Sequence, residues 1–339
     1  MKVAVLRFSA LGDVAMTVPV VGSVARQHPH VRFVIVTQPW LCKLYEGVAI
    51  NVTVHPCEPH GKHRGVLGMW RLAQELTSEG ADAVADLHDV LRTKMLRTFL
   101  KLSGLRVKHI DKGRAEKRRL VREGWKACPP LRPQTERYAD VFRALGMDCL
   151  VDFKPIVLPT LPGLPDKPLD ERWIGVAPAA AHDSKVYPSQ CLREALEMVA
   201  KQGKVRLFFF GREESVKADA AYLADRIPGP VHLASDFAHG LREELQLMQR
   251  FDAMVSMDSG NMHLASLVGI PVLSIWGATH PYMGFLGYGQ KEEYCIQSER
   301  SCRPCTAYGA HPRCTAPYPC LEDLTPELVA RRVCQAIHV

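Results

Sequence analysis

The sequence predicts an α/β fold built from two doubly wound parallel sheets, one in each half of the chain. Three observations support this prediction. The chain has 339 residues, which is about twice the length of a common domain. Short apolar runs rich in β-branched residues alternate with amphipathic runs in both halves. A Pro-rich stretch at 154–172, with neither a helical nor a strand period, separates the two series.

The first half contains a strand, turn and helix followed by further alternation. KVAVLRF at 2–8 predicts a buried strand, and SALGD supplies turn residues before a helix at 14–27. The next elements are a strand at 31–37, a helix at 66–79 and a strand at 81–87. Strands that alternate with helices indicate a parallel sheet.

The alternation starts again after the Pro-rich stretch. Strands are predicted at 173–177, 205–210, 231–233, 253–257 and 271–276, and helices at 189–202, 215–226, 241–250 and 261–268. Thr325 as N-cap and Pro326 at the first helical position predict a closing helix that reaches residue 337. The predicted divisions are a first domain at 1–158, a linker at 159–172, a second domain at 173–323 and a C-terminal helix at 324–339 that could pack back on the first domain.

Composition narrows the class of protein. Apolar residues make up 47% and charged residues 23% of the chain, which is typical of globular proteins and excludes collagen-like and disordered chains. The apolar N-terminus resembles a signal peptide, but Arg7 and Asp13 interrupt it and no cleavage site follows. Without an export signal, the 11 Cys residues indicate reduced thiols in the cytoplasm.

Positive charge is concentrated in the first half. Residues 1–150 carry 24 Lys and Arg against 14 Asp and Glu, and residues 92–126 alone carry 13 against three. This density favours an anionic surface, a polyanion or a phosphorylated substrate as partner; a solvated basic face is the alternative.

The segment 255–281 carries the strongest chemical signal. A strand ends, a short turn follows and a helix begins, so that free backbone N–H groups and the positive end of the helix form an anion site. A loop of small residues at 277–279 follows the next strand at the same sheet edge. An ordinary βα turn capped by its Asp is the alternative. The residues of this site are Asp258, Ser259, Gly260, Asn261 and His263.

Two motifs resemble those of a known family. DSGxMHLAxxxGxPVxxxxGxTxP at 258–281 and RFSALGDVAMTVP at 7–19 are similar to the ADP-heptose:lipopolysaccharide heptosyltransferases, glycosyltransferase family 9, and the resemblance extends over nearly the whole chain. It implies the GT-B architecture, in which two Rossmann-like domains face a central cleft. It further implies an acceptor-binding first domain, a nucleotide-sugar-binding second domain and inversion at the anomeric carbon, with no metal or other cofactor and an ADP-sugar as substrate.

Displacement of a nucleoside diphosphate from a sugar needs a base for the acceptor hydroxyl and positive charge for the departing phosphate. The resemblance assigns the first role to Asp13, in the turn after the first strand, and contact with the phosphates to Lys185. The alternatives are an N-cap Asp and a surface Lys.

Four further residues belong to the expected donor site. Many relatives carry hydroxyl residues where this chain has Ala180 and Ala181, and this departure leaves donor affinity and sugar identity open. Glu213 and Glu214 follow a predicted strand and resemble the loop that meets the adenosine; one of the two is expected to bond a ribose hydroxyl. An exposed acidic turn is the alternative for either.

Arginines are expected to bind the acceptor, because guanidinium groups bind carboxylates and phosphates in a bidentate manner and inner-core acceptors are acidic. Four arginines of the first domain are candidates: Arg64, Arg92, Arg114 and Arg137. Arg92 and Arg137 align best with acceptor-binding positions of relatives.

A cysteine-rich segment near the C-terminus has spacing that could supply four thiolates to a structural zinc. The candidate ligands are Cys302, Cys305, Cys314 and Cys320, with His311 as a replacement for one of them. Buried free thiols are the default interpretation.

The residues and the resemblance together predict an inverting heptosyltransferase that acts on a lipid-linked acidic glycan at the cytoplasmic face of the inner membrane, held there peripherally by its basic first domain. A nicotinamide enzyme is excluded because no G-x-G-x-x-G follows a predicted strand. Nucleic-acid binding is disfavoured because the basic segment lacks a set of stacking aromatics. A non-catalytic glycan- or polyanion-binding protein and a transferase for another nucleotide sugar stay open.

Overall fold

A computed structural model of the protein describes residues 1–339, which form two compact units, each built on its own sheet. Unit 1 comprises Met1–Lys112 and Arg132–Lys154, and unit 2 comprises Gly113–Leu131 and Pro155–Val339. All strand pairs in both sheets are parallel. The predicted α/β fold with two parallel sheets is therefore confirmed.

Unit 1 contains five strands. They are β1 (Lys2–Leu6), β2 (Arg32–Thr37), β3 (Val52–Pro56), β4 (Ala83–Asp86) and β5 (Arg106–His109). Its helices are α1 (Leu11–Gln27), α2 (Gly65–Ser78), α3 (Leu91–Leu102) and, after an excursion of the chain into unit 2, α5 (Gln134–Ala144). The spatial order β3-β2-β1-β4-β5 puts the apolar strand β1 at the centre, where its residues after Lys2 are fully buried.

Strand order in unit 1 reverses at β1. The chain builds outward through β2 and β3 and then returns to the other side of β1 for β4 and β5. The loops after β1 and β4 therefore leave neighbouring strands at the carboxyl edge and run in opposite directions. Ligands of open α/β sheets bind at such a switch point.

Unit 2 repeats this plan with six strands in the spatial order β11-β10-β9-β6-β7-β8. The strands are β6 (Arg172–Ala177), β7 (Val205–Phe209), β8 (Val231–Leu233), β9 (Ala253–Met257), β10 (Val272–Trp276) and β11 (Cys295–Gln297). The helices are α4 (Arg114–Glu123), α6 (Ser189–Ala200), α7 (Glu214–Ala224), α8 (Leu241–Met248), α9 (Gly260–Leu267), α10 (Pro319–Glu322) and α11 (Pro326–Ile337). Here the switch point lies between β6 and β9.

Residues 113–131 differ from the expected division of domains, because they belong to unit 2 although they lie in the first half of the sequence. Leu120 and Cys128 pack with Met283 in a small apolar cluster. The indole N–H of Trp125 donates to the carbonyl of Arg300 (3.1 Å). The segment thus buries its apolar side on unit 2 and carries part of the basic run at 92–126 with it.

The C-terminal helix α11 also packs on unit 2, and not back on the first domain as considered from the sequence. Its buried side chains, including Val329 and Val333, join the apolar core that α6 shares with the sheet. The Nε of Arg172 donates to the carbonyl of Ile337 (3.0 Å) and fixes the end of the helix at the start of β6.

The Pro-rich linker has no regular secondary structure from Pro155 to the start of β6. It is nevertheless anchored to unit 2, because the amide side chain of Gln249 both donates to the carbonyl of Leu158 (2.8 Å) and accepts its N–H (3.0 Å). None of the helices combines the length and the apolar composition that crossing a bilayer requires.

Candidate active-site residues in the two units

At the switch point of unit 1, Asp13 forms an ion pair with the buried Arg7. Asp13 lies in the first turn of α1, for which Ala10 is the N-cap, so Asp13 is not the cap itself. The guanidinium of Arg7 also donates to the carbonyl of Leu87, in the loop after β4 (2.9 Å). Arg7 therefore fixes a partly exposed carboxylate, 34% accessible, between the two loops of the switch point.

The loop after β4 is held by an internal network. The buried carboxylate of Asp86 accepts the backbone N–H groups of His88 (2.9 Å) and Asp89 (3.0 Å). Arg97 of α3 bridges Asp86 and Asp89, with 3.1 Å to each carboxylate. Asp89 has a positive φ of 45°, and this network stabilises that uncommon conformation.

His88 in this loop is a buried neutral imidazole. Burial, together with the positive charges of Arg7, Lys112 and Arg92, lowers the pKa of His88 to about 3. Its Nδ1 accepts the N–H of Phe8 (3.4 Å), so the single ring proton lies on Nε2.

At the switch point of unit 2, Lys185 and Asp258 are brought together. Lys185 ends a 3₁₀ helix, Asp183–Lys185, that follows β6, and its Nζ lies 2.9 Å from Oδ2 of Asp258. The hydroxyl of Thr279, after β10, donates to the same oxygen (2.8 Å). Both charged side chains are about nine-tenths buried. Three loops of the carboxyl edge thus converge on one carboxylate.

Glycines allow these loops to approach closely. A Cβ at Gly277 would lie 2.3 Å from the carbonyl oxygen of Ser184, and one at Gly309 would lie 2.5 Å from Cδ of Lys185. The Ser184 hydroxyl donates to the carbonyl of Gly309 (2.7 Å). The loop at Gly309 therefore packs on the aliphatic stem of Lys185, whose ammonium pairs with Asp258.

Arg303 stabilises the same edge and was not singled out from the sequence. It is fully buried, and its guanidinium donates to the carbonyls of Gly277 (2.7 Å) and Thr279 (2.8 Å). It also donates to the carbonyl of Ser298 (2.6 Å) after β11. Because its carbonyl partners at Trp276, Gly277 and Thr279 lie in a segment remote from it in the sequence, no local sequence signal could have identified it.

Helix α9 begins directly beside Asp258. Ser259 is its N-cap without a side-chain capping bond, and Gly260 and Asn261 form its first turn. The amides of this turn have no partner within the helix, and the helix dipole adds partial positive charge there. His263 is buried in the same helix. The Lys185 ammonium and the start of α9 together form a site suited to a phosphate or diphosphate.

The remaining donor-site candidates lie after β6 and β7. Ala180 and Ala181 follow β6 and offer only methyl groups and backbone. Glu213 is the N-cap of α7, and its carboxylate accepts the N–H of Arg212 (2.9 Å). Glu214 is 87% exposed and pairs with Lys217 (2.6 Å). Of these two glutamates, Glu213 is the one whose carboxylate is fixed by a hydrogen bond within the loop after β7.

Comparison with known proteins identifies the family. The family model described as glycosyltransferase family 9 (heptosyltransferase) matches residues 69–314. The chain belongs to glycosyltransferase family 9. It is 26% identical over 331 residues to lipopolysaccharide heptosyltransferase 1 of Pseudomonas aeruginosa, which covers 90% of this chain and 86% of that relative. The family resemblance inferred from the motifs is confirmed, and the protein is a glycosyltransferase.

Solved structures of family members share the fold. A family 9 glycosyl transferase from Veillonella parvula DSM 2008 has a TM-score of 0.74 at 19% identity, covering 99% of this chain and 97% of its own. The ADP-heptose lps heptosyltransferase II of E. coli has a TM-score of 0.66 at 17% identity, covering 100% and 99%. The E. coli heptosyltransferase WaaC with ADP has a TM-score of 0.64 at 19% identity, covering 91% and 97%. The GT-B architecture is thereby confirmed.

The four arginines predicted to bind the acceptor were all expected in the first domain, but only three of them lie in unit 1. Arg64 is the exposed N-cap residue of α2, Arg92 is exposed in the first turn of α3, and Arg137 is buried on α5. Arg114, by contrast, begins α4 and belongs to unit 2, because the segment 113–131 packs there.

No three of the four predicted zinc ligands lie within 4.8 Å of one another. They are nevertheless electrostatic neighbours: burial, and then the thiols of Cys314 and Cys302, raise the pKa of Cys305. The zinc site therefore stays a prediction. Cys302 is exposed, whereas the thiol of the buried Cys305 packs on the carbonyl of Ala278 (3.7 Å). The one set of metal-capable groups whose ligand atoms lie within 4.8 Å of one another is His55, His63 and Glu75 in unit 1.

This set in unit 1 is held together by hydrogen bonds. Nε2 of His63 and Nε2 of His55 lie 3.1 Å and 3.0 Å from the same Glu75 oxygen. Nδ1 of His63 accepts the N–H of Glu58 (3.0 Å). In a metal-bound His, by contrast, the ring nitrogen that does not bind the metal donates a hydrogen bond. The cluster therefore joins α2 to the loop before it.

Proposed function

We propose that this family 9 glycosyltransferase is a heptosyltransferase that transfers heptose, or a related sugar, from an ADP-linked donor to an acidic, lipid-linked core glycan, with inversion at the anomeric carbon. One observation carries the donor half of this proposal: the ammonium of Lys185 lies 2.9 Å from the carboxylate of Asp258, the residue directly before the N-cap of α9. This arrangement supplies positive charge to a departing diphosphate from side chain and backbone, without requiring a metal ion.

Asp13 is proposed as the general base. The acceptor hydroxyl oxygen forms a bond to the anomeric carbon as the bond from that carbon to the diphosphate oxygen breaks. The hydroxyl proton moves to Asp13, and ADP leaves with the electron pair of the broken bond. The ion pair with Arg7 supports this role, because it holds the carboxylate in one orientation while leaving it partly exposed.

The donor is proposed to bind along the carboxyl edge of unit 2. Lys185 and the amides of Gly260 and Asn261 would bind the diphosphate, with His263 as a further polar group. Asp258 and Ser259 shape this pocket, and Ala180 and Ala181 line it without adding donors. We favour Glu213 over Glu214 for the ribose hydroxyl, because its carboxylate is fixed on the loop after β7.

For the acceptor, Arg64, Arg92, Arg114 and Arg137 remain the proposed partners of acidic sugar and phosphate groups. The lipid anchor of such an acceptor implies peripheral contact of the enzyme with the cytoplasmic face of the inner membrane.

A donor screen tests the proposal. Purified protein is titrated with ADP, UDP and GDP, and transfer to a heptose-free core glycolipid is followed with ADP-heptose and with UDP-sugars. We expect ADP to bind at least tenfold more tightly than UDP or GDP and ADP-heptose alone to support transfer. A preference for UDP would redirect the assignment to another sugar, and binding without any transfer would favour a non-catalytic glycan-binding protein.

A further inference from the structure

The first turns of α2 present an exposed apolar cluster. Leu67 is 80%, Val66 58% and Trp70 48% exposed. Side chains three and four residues apart are neighbours on a helix, so Trp70 lies beside both Val66 and Leu67. We call these three residues the α2 patch. A contiguous exposed apolar patch, in contrast to single exposed apolar residues, is a mark of an interaction surface.

Basic side chains surround the α2 patch. The segment 57–71 carries Lys62, Arg64 and Arg71 against a single acidic residue, Glu58. The three cations lie at the surface, and the guanidinium of Arg71 donates to the carbonyl of Lys62 (3.4 Å). The ammonium of Lys62 also lies 3.7 Å from the carboxylate of Glu75, so this cation is partly neutralised. A rim of long basic side chains around apolar residues and a Trp is typical of surfaces that lie in the headgroup layer of a bilayer.

The α2 patch is fixed in place by the loop that precedes it. Gly68 packs against this loop so closely that a Cβ there would lie 2.2 Å from the carbonyl carbon of His63. Glu75, one side of the His55–His63 cluster, ties α2 to the loop and to strand β3. The apolar side chains are therefore presented on a rigid support, so little conformational entropy is lost when a surface covers them.

The α2 patch lies at the edge of the unit 1 sheet that also carries candidate acceptor residues. Helix α2 begins at the carboxyl edge of the sheet, the edge that also carries Asp13 and Arg92. Leu91, at the start of the neighbouring helix α3, is 73% exposed at this edge. A surface that covers the α2 patch would therefore lie on the side where unit 1 holds its candidate acceptor residues.

We propose that the α2 patch is the surface by which this protein lies on an anionic phospholipid bilayer. Val66, Leu67 and Trp70 enter the headgroup and acyl boundary, and Lys62 and Arg71 bind lipid phosphates. A second copy of the chain fits less well, because a symmetric contact would bring the two basic rims together. The inference that docking brings the enzyme to its acceptor rests on the proposed function. The docking itself does not depend on that function.

Vesicle co-sedimentation tests the docking with the full chain. Vesicles of phosphatidylcholine alone are compared with vesicles that also contain phosphatidylglycerol. We expect binding to the anionic vesicles that weakens with salt, and a loss of about tenfold to a hundredfold for Leu67→Glu, since burial of one Leu corresponds to a factor of this size. Leu169→Glu is the matched control, because Leu169 is 99% exposed in the linker and outside the α2 patch.

Three results would overturn the docking proposal. The wild type could fail to bind anionic vesicles, or Leu67→Glu could bind them as the wild type does. The third result is that the wild type sediments as a dimer and Leu67→Glu as a monomer. Circular dichroism melting confirms that the variant is folded. Transfer to a delipidated acceptor should be unchanged in Leu67→Glu, while transfer to a vesicle-embedded acceptor falls. If the donor screen fails but vesicle binding behaves as described, only the proposed function is lost.

Discussion

At the scale of single residues, Arg303 shows how one buried cation organises the proposed donor site. Its carbonyl partners belong to the loops after β10 and β11. Without Arg303 these buried carbonyl oxygens would lose a hydrogen-bond donor. Burial is the main reason that its pKa is lowered to about 10, so the side chain is still charged at neutral pH.

Arg303→Met should therefore destabilise the protein strongly. We expect a decrease of about 3 kcal/mol or more in the free energy of unfolding, because several buried carbonyls lose their donor. Arg300→Met is the matched control, since Arg300 pairs with Asp323 near the surface and such pairs contribute about 1 kcal/mol or less. Urea unfolding measures both, and equal effects would contradict this role of Arg303.

Lys185→Met should weaken ADP binding about tenfold to a hundredfold, because a charge-assisted contact to phosphate is worth about 1.5–3 kcal/mol. The variant keeps the buried stem but leaves Asp258 without its cation. Lys217→Met is the control, since Lys217 is exposed and pairs with Glu214. Calorimetric titration with ADP gives both affinities, and unchanged binding by Lys185→Met would remove Lys185 from the proposed donor site.

The sequence singles out residues whose signal is local. Asp13, Lys185 and Asp258 lie in the segments that follow β1, β6 and β9, and a strand followed by a turn and a helix can be recognised within a short window. Arg303 and His88 could not be found in this way. The role of Arg303 depends on carbonyls from separate loops, and the neutrality of His88 depends on burial and on three cations from other elements.

At the scale of elements, buried strands were easier to predict than edge strands. The strands β1 and β9 are continuous apolar runs and were assigned correctly. The strands β3 and β5 lie at the two edges of their sheet, are largely exposed and carry His, Lys or Arg, so they lack a hydrophobic period. Helix α4 was missed because seven of its ten residues are charged and its packing partners lie in unit 2.

The N-cap of α11 gives a prediction at this scale. The Thr325 hydroxyl accepts the N–H of Leu328 (3.3 Å), as the sequence predicted for a cap at this position. Thr325→Ala should lower the free energy of unfolding by about 1 kcal/mol, and Thr325→Ser should retain most of it. Thermal or urea unfolding measures the stability of the two variants. If loss of packing rather than loss of the cap were the cause, both variants would be equally destabilised.

At the scale of the whole molecule, stability should depend on pH through buried neutral histidines. Burial lowers the pKa of His88 and of His280 to about 3, whereas an unfolded His titrates near about 6.5. Between these values the unfolded chain binds protons that the folded chain does not. The free energy of unfolding should therefore fall as pH decreases from about 6.5, by up to about 1.4 kcal/mol per pH unit for each His.

Urea unfolding at about pH 7 and about pH 5 measures this dependence. In His280→Asn the decrease between the two pH values should be smaller than in wild type, because one of the histidines with a lowered pKa is removed. An identical decrease in both proteins would show that His280 is not held neutral in the folded state.

The division of the molecule into units could be predicted only in outline. The Pro-rich linker marked the second sheet correctly, and β6 begins at Arg172. The excursion of residues 113–131 into unit 2 could not be seen, since charge and periodicity do not show which sheet a segment packs on. This excursion distributes the basic run over both units.

The most direct test of the account is the separation of binding from turnover in Asp13→Asn, which keeps the shape of the side chain but removes its ability to accept a proton. Asp152→Asn, at an exposed ion pair of unit 1, is the control. A melting curve confirms that the loss of the Arg7 partner leaves the variant folded. We expect Asp13→Asn to bind ADP-heptose as wild type does and to lose transfer by a factor of about 10² to 10⁴. Transfer within about threefold of wild type would contradict the assignment of Asp13 as the base and, with it, the proposed mechanism.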